Sequence, residues 1–160
     1  MNPTQIKTTL TGVLAVAALL LSQLEGTRYD VYTDVAGVPT VCEGITGTDV
    51  VRGKRYTRRE CDVLLQKHIR VAQTEVDNDI KVDVPVTFRA AMYSFTFNAG
   101  RTAYRNSKML ALTNQGKLSL ACDQLHRWVY VTNPRTKKKV ISSGLKNRRA
   151  AEYEMCMRDL

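Results

Sequence analysis

Three side chains early in the sequence stand where they could do chemistry together. Glu25, Asp34 and Thr40 follow one another at spacings of nine and six residues. Cleaving a glycosidic bond takes one carboxyl group that stays protonated to assist the leaving oxygen. It takes a second that stays ionised, to activate water or to attack directly. Glu25 comes directly after Leu24, at the end of an apolar run, and apolar neighbours favour the protonated form of a carboxyl group. Asp34 falls in a polar turn, which suits the ionised partner, and the Thr40 hydroxyl could hold the attacking water. Acid and Thr residues are common, however. The same positions equally suit an ordinary turn former at Asp34 and a strand residue at Thr40.

Other chemistries find no support. The chain has no G-x-S-x-G, H-E-x-x-H or G-x-G-x-x-G pattern. The stretch VVRGKR lacks both the upstream Gly and the following Ser or Thr of a phosphate loop. His68 and His126 are isolated and read as ordinary helix residues. Cys42, Cys61, Cys122 and Cys156 show neither zinc-site spacing nor a C-x-x-C motif, so no metal and no cofactor is expected. Four cysteines fit two disulfides in an exported protein, with three connectivities open, or four buried thiols in a cytosolic one.

The elements that must position these residues are legible. Tyr29, Val31 and Thr33 alternate as a strand, a Gly37 turn follows, and Thr40 and Val41 return, which makes a β-hairpin with Pro39 on an edge strand. Thr57-Arg58-Arg59-Glu60 has the form of a capping box. Leu65, Ile69, Ala72, Val76 and Ile80 then mark one helical face, a helix of roughly 36 Å at standard rise that could link two lobes. Pro85 opens a buried helix closed by Gly100. Three more helical stretches follow, around 107–116, 118–128 and 144–160. The run NPRTKKK is expected to be a solvated loop. Glu43 is read as an exposed strand residue, although it could reach the cleft.

Size and charge add bounds. With 160 residues and 18.0 kDa the chain is one domain by length, and its 44% hydrophobic content is enough to fold. The net charge of +9 favours an anionic partner: nucleic acid, anionic lipid or an acidic wall polymer. Residues Thr8–Leu24 carry no charge over 17 residues, roughly 26 Å of helix, at the short limit for a membrane span. Its one A-x-A pattern, Ala15–Ala17, lies inside the run, so an uncleaved segment is expected. Leu20, Leu21 and Leu24 share a helical face and could serve as core contacts. They cannot occupy lipid and a protein core at once.

Leu24-Glu25-Gly26 with Asp34 and Thr40 at these spacings resembles the phage-type lysozyme (muramidase) family. The similarity continues through Thr46-Gly47, Tyr56-Thr57, Phe97–Gly100, Asn114–Gly116, Trp128 and GLKNRRAAE. The resemblance implies an α+β, mostly helical, two-lobe fold. A hairpin lobe over about 25–56, a connecting helix over about 57–80 and a helical lobe over about 82–160 would follow a distinct segment 1–24. It implies hydrolysis of the β-1,4 bond between N-acetylmuramic acid and N-acetylglucosamine of peptidoglycan, without cofactor. Glu25 would be the general acid, and Asp34 with Thr40 would position the water. Arg148 would pair with the catalytic Glu, and Asn98 would contact sugar.

The N-terminus resembles the signal-arrest-release endolysins. That implies export by the host secretion machinery, tethering to the inner membrane through residues 8–24, release into the periplasm and a monomeric enzyme. The expected disulfides are Cys42–Cys61 and Cys122–Cys156, one per lobe. The family's G-H-T-G appears as Gly44-Ile45-Thr46-Gly47, which predicts altered packing there. The rival readings are a silent wall-binding relative and a basic, membrane-tethered nucleic-acid binder. The resemblance gives no role to nucleic acid.

Overall fold

A computed structural model describes residues 12–18, 20, 21, 24 and 26–160 of the chain. Residues 12–18, 20, 21 and 24 are helical and form α1. Strands β1 (Arg28–Thr33) and β2 (Pro39–Cys42) pair antiparallel, with Tyr32 opposite Thr40. Helix α2 (Arg58–Asp79) follows, then α3 (Val86–Ala99), α4 (Arg101–Arg105), α5 (Lys108–Asn114) and α6 (Leu118–Asp123). A second hairpin, β3 (Tyr130–Thr132) with β4 (Lys139–Ile141), precedes the last helix, α7 (Ser143–Met157).

Helix α2 starts where its sequence says it should. The Thr57 side chain accepts from the Glu60 N–H, and the Glu60 carboxylate accepts from the Thr57 N–H at 2.8 Å. These two bonds satisfy backbone donors that a helix start otherwise leaves open. The apolar face of α2 then serves two cores in turn. Cys61 joins a small cluster with Val41, Cys42, Ile45 and Tyr56. Leu65, Ile69 and Val76 join a larger one built on α3, which buries Phe88, Met92, Tyr93 and Phe95. Each cluster contains one disulfide, Cys42–Cys61 and Cys122–Cys156, with Cα–Cα distances of 5.3 and 5.8 Å. The α+β, mostly helical fold with a small hairpin lobe and a larger helical lobe is the one the resemblance implied.

Helix α1 belongs to the larger core. Val13, Ala17, Leu20 and Leu21 are at most 4% exposed, and their i, i+4, i+7, i+8 spacing defines one helical face. Gly12 and Ala15 are exposed. No helix among the described residues is long and apolar enough to cross a membrane. Glu25 and residues 1–11, the greater part of the flank that precedes the apolar run, lie outside the described residues.

Three local outcomes differ from the sequence reading. Helix α4 has no signal of its own, because its five residues are too few for a periodic pattern. The basic run expected as a plain loop instead connects β3 and β4. The side chain of Asn133 accepts from the N–H of Arg135 and of Thr136, and the Lys137 N–H donates to the Asn133 carbonyl. An Asx-type turn therefore lies hidden in the charge run. Ile45, standing where the family often has His, is fully buried in the small cluster.

Candidate active site

The first hairpin turn is built by Asp34. Its Oδ1 accepts from the N–H of Ala36 at 2.8 Å and of Val38 at 2.9 Å. Its own N–H donates to the Val38 carbonyl, and its carbonyl accepts from Gly37 N–H, both at 3.0 Å. Gly37 takes φ +81, a conformation glycine adopts without a side-chain penalty. One carboxylate oxygen is thus tied into the turn, and Oδ2 lies outside these bonds. Thr40 returns along β2 and is 3% exposed, with its Oγ1 donating to the Val38 carbonyl at 2.9 Å. A hydroxyl has one proton to give, so Thr40 can only accept from any further partner.

A tight turn follows β2. Val41 and Ile45 exchange backbone hydrogen bonds of 3.0 and 2.8 Å around Cys42, Glu43 and Gly44. This tucks Glu43 inward, to 3% exposure, where the sequence favours an exposed residue. Its Oε1 accepts from Thr27 Oγ1 at 2.8 Å, and its Oε2 is buried without a hydrogen-bond partner among the described residues. The carboxylate lies close to the sulfurs of Cys42 and Cys61, and these are joined to each other as a disulfide.

Across the molecule, α7 and α3 enclose a charged network. Glu152 is fully buried, and its Oε1 accepts from Ser94 Oγ at 2.7 Å and from Arg148 Nε at 3.1 Å. Its Oε2 accepts from Arg149. Arg149 also donates to Asn98 Oδ1 and, through Nε, to the Trp128 carbonyl at 3.1 Å, and its guanidinium stacks 4.8 Å from the Phe95 ring centre. Arg148 reaches the Ser94 carbonyl at 3.3 Å. Buried charges survive only when paired and hydrogen-bonded in this way.

An open cleft of about 760 Å³ runs from the Asp34 turn to this network. Ala36 stands at one edge, and Asn98, Trp128, Tyr130, Lys139 and Arg149 line the other side. The cleft is long and polar, with aromatic surface, which suits a carbohydrate strand more than a compact apolar ligand.

The family model for phage lysozyme matches residues 22–152. The chain belongs to the phage lysozyme family. It is 42% identical over 152 residues to a SAR-endolysin of Bacteriophage PS119, covering 91% of this chain and 87% of that one. Among solved structures, the endolysin from Escherichia coli O157:H7 phage FAHEc1 overlaps with a TM-score of 0.83 at 28% identity, over 91% of this chain and 92% of that one. The active form of the P1 phage endolysin Lyz overlaps with a TM-score of 0.76 at 25% identity, over 96% and 93%. The secreted inactive form of that same protein overlaps less, with a TM-score of 0.51 at 23% identity, over 70% and 76%.

This phage lysozyme is therefore a lysozyme-type glycoside hydrolase that lyses peptidoglycan. The structure brings Asp34 and Thr40 together on one hairpin and sets Asn98 on the cleft wall. Glu25 lies outside the described residues. Arg148 is buried at 4% exposure, whereas the neighbouring Arg149 is the one that holds Asn98. Sequence reasoning missed Arg149, Glu152 and Ser94. A signal was present: Glu152 stands at i+4 from Arg148 and i+3 from Arg149, the spacings at which helix side chains meet. His68, isolated in the sequence, meets Asp49 at 2.8 Å. Hydrogen bonds from Lys67 and then His68 hold the Asp49 carboxyl below its ordinary range.

Proposed function

We propose that Glu25, Asp34 and Thr40 together hydrolyse the β-1,4 bond between N-acetylmuramic acid and N-acetylglucosamine, with inversion at the sugar carbon. The observation that carries this is the hydrogen-bond pattern of the first hairpin. Asp34 keeps Oδ2 outside the turn, and Thr40 Oγ1 has committed its proton to the Val38 carbonyl. A water between them donates one hydrogen to each oxygen and keeps a lone pair for the sugar carbon. Asp34 then takes the proton as bond formation proceeds, while Glu25 protonates the leaving oxygen from the opposite face. Arg148 pairs with Glu25 and holds it in place, and Asn98 contacts the sugar.

The second part of the reading is control by location. The uncharged run inserts weakly into the host inner membrane after export, and the enzyme stays inactive there. Release lets the run fold back as α1, and the monomeric enzyme then acts in the periplasm. The burial of Val13, Ala17, Leu20 and Leu21 supports this, because the side chains that lipid would cover are the ones the core needs.

Turbidity loss of outer-membrane-stripped Gram-negative cells tests the chemistry. Wild type should clear them, and folded Glu25→Gln and Asp34→Asn proteins should not. Clearing by both variants at the wild-type rate would sink the assignment. For the tether, Ala18→Lys should move the protein from the membrane fraction to the soluble one. An unchanged membrane fraction would remove that part of the reading.

A further inference from the structure

The charge on the cleft wall is one-sided. Lys108 at the start of α5, Arg127 after α6, Lys139 on β4 and Arg149 on α7 all line it, and no carboxylate does among the described residues. Arg149 is committed to Glu152 and Asn98. Arg127 makes one long contact, to Gln124 at 3.5 Å. The Lys108 and Lys139 ammonium groups are exposed and have no ion-pair partner among the described residues. Three cations thus face the cleft with nothing to balance them, beside the apolar faces of Tyr130 and Val131.

The glycan strand does not explain this charge, because N-acetylated sugars are neutral. The acidic part of peptidoglycan is its peptide branch, attached to the lactyl group of the muramic residue and bearing free carboxylates at neutral pH. We propose that Lys108, Arg127 and Lys139 form a recognition site for this acidic branch, and that the β3–β4 hairpin is the element presenting it. The proposal rests on the cleft being the peptidoglycan site. The hairpin has the geometry for this role. Thr132 pairs with Lys139, and the Asn133 turn fixes the approach of the basic run to the cleft rim. Ammonium groups at a cleft rim act over the Debye length, so they also draw an anionic branch in before contact.

The test compares two substrates. One is intact sacculus glycan with its branches, and the other is the same glycan stripped of branches by an amidase that cuts at the lactyl group. Released reducing ends give kcat and KM on each. Wild type should prefer the branched strand, and the preference should shrink as salt rises. The Lys108→Ala/Lys139→Ala protein should lose about tenfold in kcat/KM on the branched strand, carried by KM, which corresponds to about 1.4 kcal/mol for the pair. On the stripped strand it should match wild type. Lys108→Arg/Lys139→Arg should restore the preference. An equal loss on both strands, or no loss on either, overturns the proposal. If wild type cuts neither strand, the hydrolase assignment of the cleft fails first, and this inference falls with it.

Discussion

The two lobes are held together by different means. The small one has five buried residues in its cluster, and the large one has twenty-one among the described residues. Five side chains cannot supply enough apolar burial to order a hairpin and its loops. The small lobe depends instead on staples: the Cys42–Cys61 disulfide, the capping box at Thr57, and Asp49 held by Lys67 and His68. The large lobe has apolar material to spare and can enclose a charged network at its centre. The proposed water-handling pair thus sits on the lobe with the weaker core, facing a rigid wall on the other.

The largest break in that comparison should come from Glu152→Ala. It would leave the Arg148 and Arg149 guanidiniums buried without their carboxylate, at a cost of about 3–5 kcal/mol. Chemical denaturation should show the loss directly, and a midpoint within error of wild type would mean that the network contributes little. Glu152→Gln should cost less, because the hydrogen bonds survive in part.

Next in size is the pair Cys42→Ser/Cys61→Ser, expected to cost about 2–4 kcal/mol. The distribution of the effect matters more than its sum. Amide exchange should accelerate across β1 and β2 first, while α3 and α7 keep their protection. Uniform acceleration would show that the two lobes unfold as one unit and that the staple is shared.

The smallest effect should come from Glu60. Lys54, followed by the Thr57 backbone and hydroxyl, holds its carboxyl down to about 2. A lowered value stabilises the fold above the unfolded carboxyl range near ~4.3, and that contribution fades as pH falls through about 2. The melting-temperature gap between wild type and Glu60→Gln should therefore be constant above about pH 5 and narrow below about pH 4. A gap that ignores pH would detach Glu60 from small-lobe stability.

Much of this architecture is legible in the sequence because it rests on local signals. The capping box at Thr57–Glu60, the α2 face and the Gly100 stop each follow from a few adjacent residues, and all appear in the structure. The disulfide pairs follow from the family resemblance. What escapes such reading depends on contacts distant in sequence. Glu43 is buried because a tight turn at Cys42–Gly44 swings it toward Thr27, sixteen residues away. Arg149 meets Asn98 from fifty-one residues off. The β3–β4 hairpin is masked by its own charge, since the four basic residues and one Thr of 135–139 read as solvated loop before Asn133 is seen as a turn former.

Helix α1 bears on how the protein can be made. A shortened version starting at Gly26, chosen to shed a greasy leader, would remove Val13, Ala17, Leu20 and Leu21 from the helical core and open the cluster they share with Leu65, Ile69 and Phe88 to water. The leader is a wall of the finished building and cannot be trimmed as packaging. Purification schemes therefore have to place any tag at the far end, after Leu160, and accept the apolar run as part of the enzyme.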